Sequence, residues 1–299
     1  MNVGAARVAF VTFEGLPRLD ADDRPFADAL RAAGVDVSPA VWSDPRVDWD
    51  DFDLLVLRSC WDYDRRPAEF RAWLDARERG TARVANPVRA LRWNLDKDVF
   101  LEDLAARGVA IVPTRVARPG DPRRLSEVLA GTDWSRAVVK PAVSLNSNGT
   151  WRVDTTQVET PDAEERFRCA MASAPLLIQR YEPAIETDGE WSFVFLAGRF
   201  AHAVRKRPAP GDFRVQSEFG GHKERIGVPP AALLESAEQT LSTAETACGE
   251  RFTYARVDGV RAPEGFLLME LEVLDPSLYL EVAPESVPVA RDAILALLG

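Results

Sequence analysis

The segment Arg256-Val-Asp258, followed by Phe266-Leu-Leu-Met-Glu-Leu-Glu-Val-Leu274, decides how this chain is read. Residues two apart on a strand point to one face, so Arg256 and Asp258 project together, as do Glu270 and Glu272. The second stretch is otherwise apolar enough for a buried strand. If the two strands pair across the connection at 261–265, three carboxylates and one guanidinium converge on one side of a sheet. Carboxylates in an apolar strand are costly unless compensated. A hard divalent cation such as Mg²⁺ is one natural partner, since it takes a few carboxylate oxygens and completes its shell with water and phosphate. A solvated edge strand, or a local salt bridge to Arg256, accounts for the same residues.

Working outward, 299 residues can hold two or three packed units. A net charge of −10 argues against a nucleic-acid partner, which needs a basic surface. Arg205-Lys-Arg207 is too short and isolated to supply one. Cys60, Cys169 and Cys248 have neither disulfide-framework nor zinc-site spacing. Two histidines, His202 and His222, give a histidine-rich metal site or a Ser-His-Asp relay little material. The start of the chain lacks the apolar core of a signal peptide, and no run approaches the ~20 apolar residues of a membrane span. The expectation is a cytoplasmic protein with no membrane partner.

The first 88 residues read as a parallel α/β unit. Strands are expected at 8–12, 35–42 and 53–57, and helices after Asp23-Arg-Pro25 and over 68–76. Asp23 would cap the first helix with Pro25 at its first position. A central unit is expected over 89–182, with a helix at 97–106, strands at 109–112, 137–140 and 176–179, and a helix at 162–172. A third unit, 183–299, has a hairpin of 191–196 and 200–206 turning at 197–199. A loop at 208–227 follows, long enough to be a functional lid. A helix at 230–248, the strands at 256–274 and a last helix complete it.

Phosphate-loop, Gly-x-Gly-x-x-Gly and Gly-x-Ser-x-Gly patterns are all missing, which disfavours a P-loop ATPase, a simple Rossmann oxidoreductase and an α/β-hydrolase. Two lysines stand out instead. Lys97 opens a helix after Asn94, and Lys140 closes the apolar strand 137–140 before Ser144-Leu-Asn-Ser-Asn-Gly-Thr150. Such a lysine beside a polar loop can hold phosphate oxygens, or can simply cap a strand end at the surface. Arg58, Trp61, Asp62 and Tyr63 follow the strand at 53–57, at the carboxyl end where parallel sheets gather ligands. The alternative is that Trp61 and Tyr63 are core aromatics and Arg58–Asp62 a local ion pair.

Taken in order, Asn94…Lys97, Lys140-Pro141, Gln179-Arg-Tyr-Glu182, Gly189-Glu190, Arg205-Lys206, a Gly-containing loop, Arg256-x-Asp258, Glu270-x-Glu272 and Pro276-Ser277 resemble the ATP-grasp superfamily, over residues 86–290. The stretch 200–221 is similar to the large loop of its glutathione-synthetase-like branch. Arg58-Ser-Cys-Trp-Asp-Tyr63, Arg92-Trp-Asn94 and Glu270-Leu-Glu-Val-Leu-Asp-Pro-Ser277 resemble a narrower group, the D-cycloserine synthetases of actinomycete antibiotic biosynthesis. Those are ATP-dependent cyclo-ligases closing O-amino-D-serine into a cyclic amide.

The resemblance implies an ATP-grasp fold of α/β class behind an amino-terminal parallel domain. It implies ATP and two Mg²⁺ ions as cofactors, with Mn²⁺ able to replace them. Lys97 and Lys140 would hold phosphates; Gln179, Arg180, Tyr181 and Glu182 the adenine; Glu190 the ribose. Asp258, Glu270 and Glu272 would ligate metal. Arg256, Arg214 and Lys206 would act in catalysis. Arg58, Trp61, Asp62, Tyr63 and Ser277 would bind a small amino-acid-like substrate, and a homo-oligomer is compatible with the class. Glu272 stands where the family typically has Asn, and the loop 144–150 is less glycine-rich than usual. An intermolecular carboxylate–amine ligase and a catalytically silent ATP-binding scaffold are the alternatives.

Overall fold

The computed structural model describes residues 5–216 and 219–299. Three sheets follow one another along the chain. The first is parallel and four-stranded, in the order β2-β1-β3-β4, from β1 (Arg7–Thr12), β2 (Asp36–Val41), β3 (Leu54–Ser59) and β4 (Arg83–Ala85). Its strands are linked by α1 (Asp23–Ala32) and α2 (Pro67–Arg79). β4 was not expected from sequence, because it is three residues long and has one buried side chain.

Helices α3 (Val88–Leu95) and α4 (Lys97–Ala106) lead to an antiparallel sheet in the order β5-β8-β6-β7. It contains β5 (Thr114–Ala117), β6 (Arg136–Pro141), β7 (Trp151–Asp154) and β8 (Leu176–Arg180), with α5 (Leu125–Leu129) and α6 (Pro161–Ser173) packed against it. After α7 (Ala184–Thr187) comes the third sheet, also antiparallel, in the order β11-β10-β9-β12-β13. Its strands are β9 (Glu190–Leu196), β10 (Arg199–Arg207), β11 (His222–Ile226), β12 (Tyr254–Ala262) and β13 (Gly265–Glu272). α8 (Ala231–Cys248) covers one face, and α9 (Val287–Leu298) returns to pack against α1.

The β9–β10 hairpin turns on Ala197 and Gly198, both with positive φ (49° and 72°), the pairing that two-residue hairpins favour because it matches strand twist. Two expected elements differ. The strand at 109–112 is a single parallel bridge, Ile111 to Leu268, after which Pro113 delivers the chain to β5 in the central sheet. The loop expected at 208–227 is shorter, because His222–Ile226 pairs with β10 as an edge strand. Residues 217–218 of that loop, and so part of the expected lid, lie outside the described residues. Asp23 does not cap α1 either, since its carboxylate is spent on Arg58 and Ser59. Among the described residues no helix is long and apolar enough to cross a membrane.

The third sheet shares a core with the first. Val194, Leu196, Val204 and Tyr254 pack with Val8, Phe10, Leu54 and Val56. His202 of β10 ties this seam to the segment after β13, with Nε2 2.9 Å from the Leu278 carbonyl and Nδ1 2.8 Å from the Ser286 hydroxyl. A carbonyl only accepts, so Nε2 carries the hydrogen and neutral Nδ1 accepts from Ser286.

Burial lowers the His202 pKa from its ordinary 6.5 to about 4, outweighing the Leu278 carbonyl, which favours the charged ring. The unfolded chain therefore binds more protons across that window, and stability falls as pH drops from 6.5 towards 4. Between roughly pH 7 and pH 5 this one group is expected to remove about 2 kcal/mol. Urea midpoints of the wild type and of His202→Gln at both pH values check this: the variant's pH dependence should be smaller by that amount.

Candidate active site

The register of the third sheet gathers the charges. Asp258 faces Glu270, Arg256 faces Glu272, and on the other side of β12 Asp258 faces Ser192. Lys206 of β10 faces Glu190 of β9. Arg256 grips both oxygens of Asp258 through Nε at 3.1 and 3.0 Å, donates to the Ser277 carbonyl at 2.9 Å, and bonds Glu272. Lys206 lies 2.5 Å from Glu190 and 3.7 Å from Asp258.

A bulge sets the fine geometry. Asp258 pairs with Glu270, but Gly259 pairs with Leu268, so Met269 is the extra residue on β13. Met269 and Glu270 therefore both line the cavity, while Leu268 and Leu271 turn into the core under α8. Strict alternation would have sent Leu268 to the site face. Gly259 leaves room for this: a Cβ there would lie 2.5 Å from the Leu267 carbonyl and closer still to the Phe266 ring.

The central sheet faces this charged surface across a cavity of about 400 Å³. Val138 and Lys140 of β6 and Gln179 of β8 line it. Lys97, at the start of α4, reaches across to Glu270 at 2.9 Å and donates to the Ser144 carbonyl at 2.7 Å. Arg180, Tyr181 and Glu182 leave β8 along the same wall. Glu182 lies 2.5 Å from Arg180, and the Arg136 guanidinium sits 4.2 Å over the Tyr181 ring. The Tyr181 hydroxyl is pushed up to about 12 by burial and by Glu186 beside it.

These groups perturb one another. Burial raises the Asp258 and Glu270 carboxyls, but Arg256 and Lys206 outweigh it at Asp258, and Lys97 and Lys140 at Glu270, so both are held below the ordinary range. Glu272 goes the other way, to about 7: burial exceeds the help of Arg256, and the neighbouring Glu270 adds to it. Burial lowers Lys140, opposed by Glu270 and aided by Lys97. Among the described residues, no three carboxylates, histidines or cysteines are gathered closely enough to hold a metal ion; Asp258, Glu270 and Glu272 are each turned to a cation instead.

The substrate-side expectations fare unevenly. Trp61 and Ser277 line the cavity. Arg58 does not: it is 1% exposed, paired with Asp23 at 2.8 Å and bonded to the Pro276 carbonyl at 2.9 Å. Asp62 accepts from the Trp42 indole at 2.7 Å, and Tyr63 stacks on Phe70 in the core. None of these three lines the cavity, against the expectation that they contact substrate. Arg214 lines the cavity while held by Asp212 at 2.7 Å. Asp275 and Tyr279 also line it and received no role from sequence, since each stands outside the paired-carboxylate pattern.

Comparison with known proteins gives the family and the fold. Residues 8–86 match the family described as D-cycloserine synthetase DcsG, N-terminal domain. The cycloserine biosynthesis protein DcsG of Streptomyces lavendulae is 30% identical over 276 residues, covering 88% of this chain and 89% of that one. The chain belongs to the DcsG family. A glutathione synthetase of Parasynechococcus marenigrum is 28% identical over 268 residues, spanning 87% of this chain and 78% of that protein. The crystal structure of D-cycloserine synthetase DcsG superposes with a TM-score of 0.88 at 27% identity, over 98% of this chain and all of that one. A D-alanine–D-alanine ligase from Bacillus anthracis, complexed with ATP, shares the fold at a TM-score of 0.68 and 16% identity, over 98% and 97% of the two chains. This DcsG relative is thus an ATP-grasp protein of α/β class and an ATP-dependent ligase.

Gly259→Ala should cost about 1–3 kcal/mol, because the added methyl overpacks the bulge against backbone. Gly227→Ala, where a methyl meets nothing, should stay within about 0.5 kcal/mol. Urea denaturation of the two variants beside the wild type checks the contrast.

Proposed function

We propose that the enzyme closes O-amino-D-serine to D-cycloserine, consuming ATP and releasing ADP and phosphate. The observation that carries this reading is the cavity wall, where Lys97, Lys140, Lys206 and Arg256 stand against Asp258, Glu270 and Glu272 in a chain 30% identical to a cycloserine biosynthesis protein. The division of the chain into units at 1–88, 89–182 and 183–299 is part of the proposal: each has its own sheet, and ATP lies between the second and third.

In the proposed reaction a substrate carboxylate oxygen attacks the γ-phosphorus of ATP. The bond to the bridging oxygen breaks, ADP leaves, and an acyl-phosphate remains. The aminooxy nitrogen of the same molecule then attacks the carbonyl carbon, loses a proton, and expels phosphate. No protein nucleophile is needed, and no histidine or cysteine lines the cavity among the described residues. Lys97 and Lys140 hold phosphate oxygens by charge-assisted hydrogen bonds, with Gln179 to Glu182 along the adenine and Glu190 at the ribose. Arg256, Lys206 and Arg214 are cations available to the charge that builds on the transferring group. Ser277 and Trp61 lie at the substrate end.

The acidic set fits Mg²⁺ in its chemistry, offering hard oxygen donors on adjacent strands, and Asp258, Glu270 and Glu272 would hold it. Bound there, the ion would supply neutralisation of phosphate charge. Nucleotide and metal would take over the partners that the side chains now give each other: Lys97 would leave Glu270 for phosphate, and Glu270 would turn to metal.

Lys140→Ala is expected to weaken ADP binding by about 10- to 100-fold, the worth of one hydrogen bond to a charged group, and to leave amino-substrate binding nearly unchanged. Calorimetric titration with ADP and Mg²⁺ measures it, and an unaltered ADP affinity would remove Lys140 from the phosphate site.

Intramolecular closure makes a second prediction. ADP release should saturate with O-amino-D-serine alone and gain nothing from added D-alanine or other free amines, because the nucleophile arrives with the carboxylate. Mass analysis should find the cyclic amide. Turnover requiring two substrates, with a linear dipeptide product, would instead make this an intermolecular carboxylate–amine ligase.

A further inference from the structure

Asp275 is a buried carboxylate without a cation. It is 5% exposed and lines the cavity beside Trp61, Glu272, Ser277 and Tyr279. One oxygen, Oδ2, accepts the Cys60 backbone N–H at 2.8 Å. The other, Oδ1, has no hydrogen-bond partner among the described residues, yet is not sealed away from the cavity. Four other carboxylates of the cavity wall differ in this respect: Asp258 has Arg256, Glu190 has Lys206, Glu270 has Lys97 and Glu272 has Arg256. Arg58, whose field reaches Asp275, gives its hydrogen bonds to Asp23 and to the Pro276 carbonyl. Burial pushes the Asp275 carboxyl well above the ordinary range, and Glu272 adds to it.

A second observation concerns how firmly the group is held. The amino-terminal sheet and the segment after β13 meet through buried polar contacts at the carboxyl end of β3. Arg58 bonds the Pro276 carbonyl, and the Cys60 N–H fixes Asp275 between them. On the far side Asp22 takes the backbone N–H groups of Leu278, Tyr279 and Glu281 at 2.9, 3.0 and 3.1 Å. Within this arrangement the Arg58 field favours the charged carboxylate, but burial outweighs it and no cation pairs with Asp275 directly. A carboxyl fixed in a cavity wall with one open oxygen, its charged form disfavoured by burial, is a group that an arriving cation would ionise and pair with.

We propose that Asp275 receives the protonated α-amino group of the substrate, so that the enzyme requires a free amine beside the carboxylate it activates. This rests on the reading of the substrate as a small amino acid. It also sorts the two nitrogens of O-amino-D-serine. An aminooxy nitrogen is far less basic than an alkyl amine and stays neutral, so Asp275 holds the α-ammonium and leaves the aminooxy nitrogen free to attack. Arg58 and Cys60 then serve specificity by aiming Asp275, while Trp61 of the same segment lines the cavity beside it.

The test compares kcat/KM, from ADP release, for O-amino-D-serine and for 3-(aminooxy)propanoate, which lacks only the α-amine. Asp275→Asn keeps an oxygen for the Cys60 N–H while removing the charge. The wild type is expected to prefer the amine-bearing substrate by about 10²-fold, and the variant to lose most of that preference with the desamino substrate changed by less than about threefold. An equal loss on both substrates would assign Asp275 to folding or proton transfer and overturn the proposal, as would a preference that survives the substitution. If the variant does not fold, the wild-type ratio decides: a ratio near one overturns it, and a large ratio upholds the demand for the amine. If the wild type turns over neither compound, the cyclisation reading has failed, and Asp275 is judged by titrating D-alanine and propanoate into protein with ADP and Mg²⁺. D-alanine binding that Asp275→Asn abolishes upholds the ammonium site; binding unchanged by the substitution, or none at all, overturns it.

Discussion

Asp258 and Glu270 face each other across two antiparallel strands, and this opposition of like charges is the constraint on which the rest of the site depends. Directly paired carboxylates destabilise a sheet, and burial raises the cost. The protein meets it with cations from every side: Arg256 from the same strand, Lys206 from β10, Lys97 from the start of α4 and Lys140 from the central sheet. Only Arg256 is local. The others come from another strand of the sheet, from α4 and from the central sheet, so the compensation of these charges depends on tertiary structure. Site and fold are one requirement here.

That requirement explains what was legible in the sequence. Residues two apart on two strands were enough to place Arg256, Asp258, Glu270 and Glu272 on one face, because side-chain period is a local property of a strand. Lys97 at a helix start and Lys140 beside a polar loop were legible in order; Lys97 contacts Glu270, and the charge of Lys140 reaches the same carboxylate. The parallel first sheet was equally plain in its apolar runs at β1 and β3. Its fourth strand was not, since three residues with one buried side chain carry no pattern.

What escaped was set by partners distant in sequence. The bulge that brings Met269 to the cavity depends on the register between β12 and β13 and leaves no mark in the alternation of β13 itself. His222–Ile226 alternates no apolar residues and becomes a strand only because β10 offers an unpaired edge. Arg58 was expected at the substrate because it follows a strand at the carboxyl edge of a parallel sheet. The position was right, but Asp23 lies there too, and a guanidinium beside a buried carboxylate pairs with it before reaching solvent. The motif and its location were readable; which member of it faces the ligand was not.

The two halves of the site solve opposite problems. At the proposed nucleotide end almost every charge already has a protein partner, so a ligand there would exchange one ion pair for another and gain only the difference. Such exchange favours a polyvalent ligand, because phosphates and metal arriving together can satisfy freed cations and freed carboxylates at once. At the substrate end the balance is left open, with Asp275 fixed by a backbone N–H and offered no cation. Binding there breaks no existing ion pair, and the new contact is set only against the cost of holding the buried Asp275 carboxyl ionised. A tightly compensated nucleotide end beside an uncompensated substrate end suits a ligase that must hold an abundant cofactor moderately and choose a small substrate by its charge. On the proposed reading the selection would be made where the first sheet, through Arg58 and Cys60, grips the segment that follows β13.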